Sequence, residues 1–167
     1  MELHAIDRNS ASVDVLARFV ANPLPDTFRY FRKRDLSCIA NHLVTVVGLV
    51  DGVPMAYGHL DREASVVWLG LCVLPAYHGR GYGTQVMQHL IDYARTHVSE
   101  LPDDGAIKLS VDNDNYRART LYERFGFTYE SECAREATCG YSIMTLQVAP
   151  ASLRSSPSTS RQTWHVT

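Results

Sequence analysis

The segment His78-Gly79-Arg80-Gly81-Tyr82-Gly83-Thr84 carries the clearest chemical signal in the sequence. It places three glycines within five residues, follows the apolar run VVWLGLCV (66–73) and precedes a stretch with helical periodicity. A strand that runs into such a loop, with a helix starting at once, aims several backbone N–H groups at one point. That point lies at the positive end of the helix dipole, and such a site holds phosphate. Glycine matters there because a Cβ would keep the backbone away from the anion. The plainer alternative is a glycine-rich connection with no ligand. Two other phosphate motifs fit poorly. A P-loop ends in Gly-Lys-Ser/Thr, and Tyr82-Gly83-Thr84 has no lysine. A dinucleotide fingerprint starting at Gly79 needs a third glycine where Thr84 stands, and an early βαβ unit that this chain lacks.

The elements that must position this loop follow from periodicity and turn chemistry. Residues 1–6 read as a short strand, and Ser10 or Ser12 as the cap of a helix over 13–20. The prolines at 23 and 25 break that helix. Residues 43–50 (LVTVVGLV) and 53–60 form a hairpin around Asp51-Gly52. A second turn falls at Asp61-Arg62-Glu63, before the central strand 66–73, whose continuous apolar run predicts cover on both faces. After the loop, Val86, Met87, Leu90, Ile91, Ala94 and Val98 make one apolar helical stripe. Residues 106–111 form a strand parallel to the central one, since a helix lies between them. Asp112-Asn113-Asp114 offers N-caps for a helix with apolar face Ala118, Leu121, Tyr122 and Phe125, ended by Gly126. Residues 127–130 and 141–148 read as two final strands. The fold class is therefore α/β, with residues 1–149 as one domain and 150–167, rich in Ser, Pro and Thr, as a mobile tail.

With these elements in place, the sequence resembles the GNAT acetyltransferase superfamily. One hallmark of that family is Gln or Arg, two residues, Gly, one residue, then Gly or Ala, after an apolar strand. Here it reads His78-Gly79-Arg80-Gly81-Tyr82-Gly83, with His in the first position. The other is Asn-x-x-Ala-x-x-Leu-Tyr-x-x-x-Gly-Phe, complete here from Asn115 through Ala118, Leu121, Tyr122 and Gly126 to Phe127. The resemblance spans roughly residues 43–148. It implies a single-domain mixed sheet of six or seven strands flanked by helices, with acetyl-CoA as cosubstrate and direct transfer of acetyl to an amine. It further implies that main-chain groups of Leu71, Cys72 and Val73 pair with the pantetheine arm. The amides from Gly79 to Thr84 would hold the pyrophosphate, and an amide near Leu71 would polarise the thioester carbonyl. Asn115 would contact the coenzyme or brace adjacent strands. Tyr122 would protonate the leaving thiolate; its other reading is a core aromatic on the apolar helix face.

The base and the acceptor stand apart from these motifs. Many family members carry a Glu or His on the central strand at the positions of Val67 and Leu69, and neither residue takes a proton. Candidates elsewhere are His59 first, then Asp61, Glu63 and Asp112, with transfer through water as a further route. Between the first helix and second strand lies TFRYFRKR (27–34). Its Phe28, Arg29 and Tyr30 could hold an acceptor by stacking and charge, or the segment could be an amphipathic helix with a solvated basic face. Three acceptor readings stay open: a small-molecule amine such as an amino sugar or amino acid, a protein lysine or N-terminus, or no turnover at all in a coenzyme-binding module.

Composition narrows the surroundings. Of 167 residues, 46% are apolar and 20% charged, as in ordinary soluble domains. A net charge of -2 gives no bulk case for nucleic acid. Cys38, Cys72, Cys133 and Cys139 form no C-x-x-C pair and no zinc spacing with histidine, so no metal is expected and a reducing compartment fits. No 18-residue apolar run and no signal-peptide core are present, which leads to an expectation of a cytoplasmic monomer or homodimer with no membrane partner.

Overall fold

The computed structural model describes residues 1–7, 10–135 and 138–148; the expected tail at 150–167 lies outside them. The chain runs β1 (Glu2–Ala5), α1 (Ser10–Val20), two 3-10 turns (Tyr30–Arg32, Leu36–Asn41), β2 (His42–Val50), β3 (Val53–Glu63) and β4 (Val66–Val73). It continues through α2 (Tyr82–Thr96), β5 (Ala106–Asp112), α3 (Tyr116–Arg124), β6 (Thr128–Arg135) and β7 (Thr138–Gln147). The strands form one seven-stranded sheet in the order β1-β2-β3-β4-β5-β7-β6. Every neighbouring pair is antiparallel except β4 and β5, which run parallel around the α2 crossover.

Alternation along the strands sorts side chains into two cores. Val67 and Leu69 of β4 pack with Val86, Met87, Leu90 and Ile91 of α2. Cys72 and Leu74 face the other side, with Tyr57, Leu16 and Phe19 of α1. Helix α2 sits close to the sheet because Gly58 has no side chain. A Cβ there would lie 2.4 Å from Val86 Cγ1 and 3.0 Å from Leu90 Cδ1.

Several boundaries differ from the sequence reading. β3 does not turn at Asp61; it continues to Glu63, and the turn falls at Ala64-Ser65 with Ala64 at φ 51°. The reason is that Asp61 is buried and bonded from Tyr30, which makes it a strand residue. The Asp51-Gly52 turn forms as read, with both residues at positive φ. Helix α1 begins at Ser10 rather than 13. Helix α2 stops at Thr96, so Val98 belongs to a following 3-10 turn. The cap of α3 is Asn115, whose Oδ1 accepts from Ala118 N, and not one of residues 112–114. Segment 27–34 is no amphipathic helix, as only Tyr30–Arg32 winds into a single 3-10 turn. The last two strands are longer than read. Cys38, Cys72 and Cys133 are free thiols. Among the described residues no helix is long and apolar enough to cross a membrane.

Filling the close approach at residue 58 should loosen the packing of α2. Gly58→Val is expected to lower the free energy of unfolding by about 1–3 kcal/mol, read from urea denaturation; an unchanged midpoint would contradict the tight contact.

Candidate active site

β4 and β5 meet at one register pair, Trp68 with Lys108. Beyond it they diverge, and a cavity of about 990 Å³ opens between them. The register of β4 on β3 decides which backbone groups reach this cavity. Leu74 N–H donates to Met55 C=O, so alternate residues below it, Cys72 and Gly70, direct their polar groups at β3. Leu71 and Val73 then present N–H and C=O to the opposite edge, where β5 has moved away. In this register Cys72 stands opposite Tyr57 of β3, and the buried residue lines the cavity.

The glycine loop closes one end. Gly79 and Gly81 hold left-handed φ values of 81° and 77°. An added Cβ at Gly81 would meet nothing within 4 Å, and one at Gly79 only the Arg117 guanidinium at 4.0 Å. Gly81 caps α2 without a side-chain hydrogen bond. The first amides of that helix therefore have neither an intrahelical acceptor nor a cap, which fits a phosphate-bearing group. His78 Nε2–H donates to Val73 C=O at 2.8 Å, tying the loop to the end of β4. Tyr82, Gly83 and Thr84 line the cavity; Arg80 does not, and its guanidinium sits over the Tyr77 ring at 5.5 Å. Asn115 and Tyr122 also line it. Asn115 serves as the α3 cap, a bracing role. Burial, with Cys72 alongside, pushes the Tyr122 phenol up to about 12, so it keeps its proton. Burial likewise pushes the Cys72 thiol up to about 12.

The other end is a buried polar network that no linear motif announced. Tyr30 O–H donates to Asp61 Oδ2 at 2.7 Å, and the Tyr30 oxygen lies 2.6 Å from His42 Nε2. With the phenol proton given to Asp61, His42 Nε2–H must be the donor to Tyr30. His42 Nδ1 then accepts from Thr45 Oγ1 at 2.6 Å. The result is one directional chain from Thr45 through His42 and Tyr30 to Asp61. Burial, reinforced by Arg34, outweighs Asp61 and drives the His42 imidazole down to about 4, in keeping with this neutral tautomer. Tyr30 is raised above the usual phenol range by burial and by its bond to Asp61. His59 stacks on His42 with ring centroids 4.6 Å apart, and lies 4.1 Å from the Tyr30 ring. Its imidazole fills the space over Gly70, where a Cβ would come within 2.2 Å of His59 Cε1. Burial holds His59 well below its ordinary value, with His42 and Arg34 adding to the effect. Tyr57 Oη, His59 Nδ1 and Asp61 Oδ1 are buried without a hydrogen-bond partner. They come from alternate residues and so from one face of β3.

A family model described as the acetyltransferase (GNAT) family matches residues 12–127, more than half of the chain. The chain belongs to the GNAT family. Over 73 residues it is 34% identical to the spermine/spermidine N(1)-acetyltransferase of Bacillus subtilis, covering 43% of this chain and 45% of that one. Over 101 residues it is 33% identical to the N-alpha-acetyltransferase RimI of Mycobacterium tuberculosis, covering 56% of each. The chain thus spans about half the length of the curated relatives it matches. The structure of yncA from Salmonella typhimurium, solved with its cofactor acetyl-CoA, superposes with a TM-score of 0.63 at 17% identity. That superposition covers 89% of this chain and 94% of the other. The seven-stranded sheet is the GNAT fold.

In this GNAT chain, Val67 and Leu69 are absent as bases for two reasons: their chemistry, and their orientation into the α2 core. The other alternative bases are engaged. Asp112 takes a bidentate ion pair from Arg29, and Glu63 pairs with Arg34. Arg29 therefore enters the cavity wall already paired. Phe28 packs on Tyr57 and Phe31, and Tyr30 anchors the network. His42, His59 and Asp61 each bring a ligand atom within 4.8 Å of the others, the one such group among the described residues. The two rings stack at 14°, so their lone pairs do not converge on a shared point, and both His42 nitrogens are engaged. The set reads as a hydrogen-bond network. Sequence reasoning missed His42 and Arg117. The position of Arg117 inside the Asn115–Phe127 motif was its available signal, and His42 had none.

The buried imidazoles make stability depend on pH. His42 titrates near 6.5 when unfolded and near 4 when folded, so the unfolded chain binds more protons between those values. Stability is then full above about pH 6.5 and is lost as pH falls toward 4, by about 2–3 kcal/mol for His42. His59 acts in the same direction. Urea midpoints measured from pH 7 to 4 should fall in the wild type and fall less steeply in His42→Gln.

Proposed function

We propose that this protein is an acetyl-CoA-dependent N-acetyltransferase that moves acetyl directly to the amine of a small molecule. The observation that carries the reading is one cavity that joins a coenzyme-like end to an amine-like end. At the first, the uncapped start of α2 and the free edge of β4 suit a pyrophosphate and an amide-bearing arm. At the second, the unpartnered Asp61 Oδ1 and His59 Nδ1 suit an ammonium group, which brings the donors they lack. Aromatic rings of Tyr30 and Trp68 line the same wall and favour a cation.

Acetyl-CoA supplies the activated acyl group. Amides from Gly79 to Thr84 hold its pyrophosphate, with Arg117 beside them, and Leu71 and Val73 pair with its pantetheine amides. The free N–H of Leu71 polarises the thioester carbonyl. Asp61 orients the acceptor ammonium, and neutral His59 takes one of its protons, which frees the nitrogen lone pair for attack. The C–N bond forms as the C–S bond breaks, the Tyr122 phenol gives its proton to the leaving sulfur, and the second proton released by the nitrogen restores the phenol. Transfer is direct, because a Cys72 thiol raised to about 12 stays protonated and unreactive. The small-amine class, shared with the spermine/spermidine relative, suits a wall with a buried carboxylate that has one unpartnered oxygen.

A panel of diamines, polyamines, amino sugars, amino acids and short peptides, assayed with acetyl-CoA by thiol release, tests this reading. Turnover of a small amine is expected, reduced about 10²–10⁴-fold in Tyr122→Phe and in His59→Gln. Tight coenzyme binding with no turnover of any amine would leave a non-catalytic binding module, and preference for peptides would point to a protein acceptor. In a separate measurement, Gly81→Asp should weaken CoA binding at least tenfold, since it sets a carboxylate against the pyrophosphate and strains a left-handed position. Unchanged affinity would displace the coenzyme from this loop.

A further inference from the structure

Arg29 and Asp112 stand 83 positions apart and meet in a two-pronged ion pair, Nη1 to Oδ1 at 2.9 Å and Nη2 to Oδ2 at 2.5 Å. Their anchorages belong to different halves of the sheet. The segment carrying Arg29 is fixed to β2 and β3: Phe28 and Phe31 pack on Tyr57, and Tyr30 bonds to His42 and Asp61. Asp112 ends β5 and pairs in register with Tyr141 of β7. Among the described residues β4 and β5 share one register pair, Trp68 with Lys108, and the strands separate toward the end where Asp112 sits. Both residues line the cavity. The Asp112 carboxylate is 11% exposed and the Arg29 side chain 37%, so the pair lies at the boundary of the cavity and solvent.

We propose that the Arg29–Asp112 pair is a clasp across the acceptor side of the cavity that sets which acceptors enter. This rests on the acetyl-transfer reading above. A protein N-terminus or lysine segment must bring an extended main chain with it, and such a chain needs a clear gap of strand width. The clasp fills that gap with two side chains held by charge-assisted bonds in planar register. A slender amine, such as an aminoalkyl chain, passes beside the clasp and reaches Asp61 and His59. The clasp therefore selects slim small-molecule amines over peptides, and removing either partner opens the site to peptides.

The test uses two probes and needs no turnover: CoA itself, and CoA joined through an acetyl link to the N-terminus of a five-residue peptide. Calorimetry on the full chain gives the ratio of their affinities. The wild type is expected to bind the conjugate no better than CoA. Arg29→Ala and Asp112→Asn should each bind it at least tenfold better than CoA. The swapped pair, Arg29→Asp with Asp112→Arg, keeps an ion pair and should return to the wild-type ratio; it also shows that the singles act through the clasp and not through misfolding. A wild type that already favours the conjugate tenfold overturns the clasp, as does a swapped pair that behaves like the single variants, or singles that keep the wild-type ratio. If CoA fails to bind the wild type, the acetyl-transfer reading falls and the clasp with it.

Discussion

The structure depends on one unmade pairing. β4 and β5 run parallel and start side by side, yet they share a single register pair before parting. A strand in the middle of a sheet ordinarily gives its N–H and C=O groups to both neighbours, and leaving them unpaired away from water is costly. Here the deficit lies along Leu71 and at the Val73 N–H, the Val73 C=O accepting from His78, beside a helix start whose first amides have no cap. A ligand with amides along its length and phosphates at its end relieves both. The helix start, the two left-handed glycines and the strand edge border one cavity because the divergence leaves space between them.

The same divergence creates a second end with a different character. On the α1 side of β3, Tyr57, His59 and Asp61 point into a space bounded by aromatic rings. Burial there keeps both histidines neutral, and Tyr30 steadies the Asp61 carboxylate from one side. A neutral imidazole can accept a proton and a fixed carboxylate can orient a cation. Gly70 permits this arrangement, since any side chain at that position would displace the His59 ring. The imidazole thus occupies the position over β4 that a side chain of that strand would fill, supplied from the neighbouring strand.

Much of this was legible in the linear order of residues. Asp51-Gly52 demanded its turn, the run at 66–73 demanded a covered central strand, and Val86 through Ala94 demanded a helix packed on it. Each is a local signal, in which conformational freedom or periodicity acts within a few residues. The glycine loop and the Asn115–Phe127 motif were legible for the same reason. The boundaries that shifted were those set by distant partners. Asp61 looked like a turn residue because its bond to Tyr30, 31 positions away, has no local trace. Arg29 looked like a solvated or ligand-seeking cation because its partner lies across the sheet.

From the sequence alone came the family, the order of elements and the glycine loop at the start of α2, because backbone geometry and side-chain spacing are written in consecutive residues. The tertiary structure decided which strand amides stay free, that Val67 and Leu69 face the core, and that His42, His59 and Asp61 gather under Tyr30. Those outcomes depend on strand register and on the point where β4 and β5 separate. Register is a relation between strands far apart in sequence, and a shift of one residue would reverse every face. The loop His78–Thr84 is written in consecutive residues, and the register around it decides which side chains share its cavity.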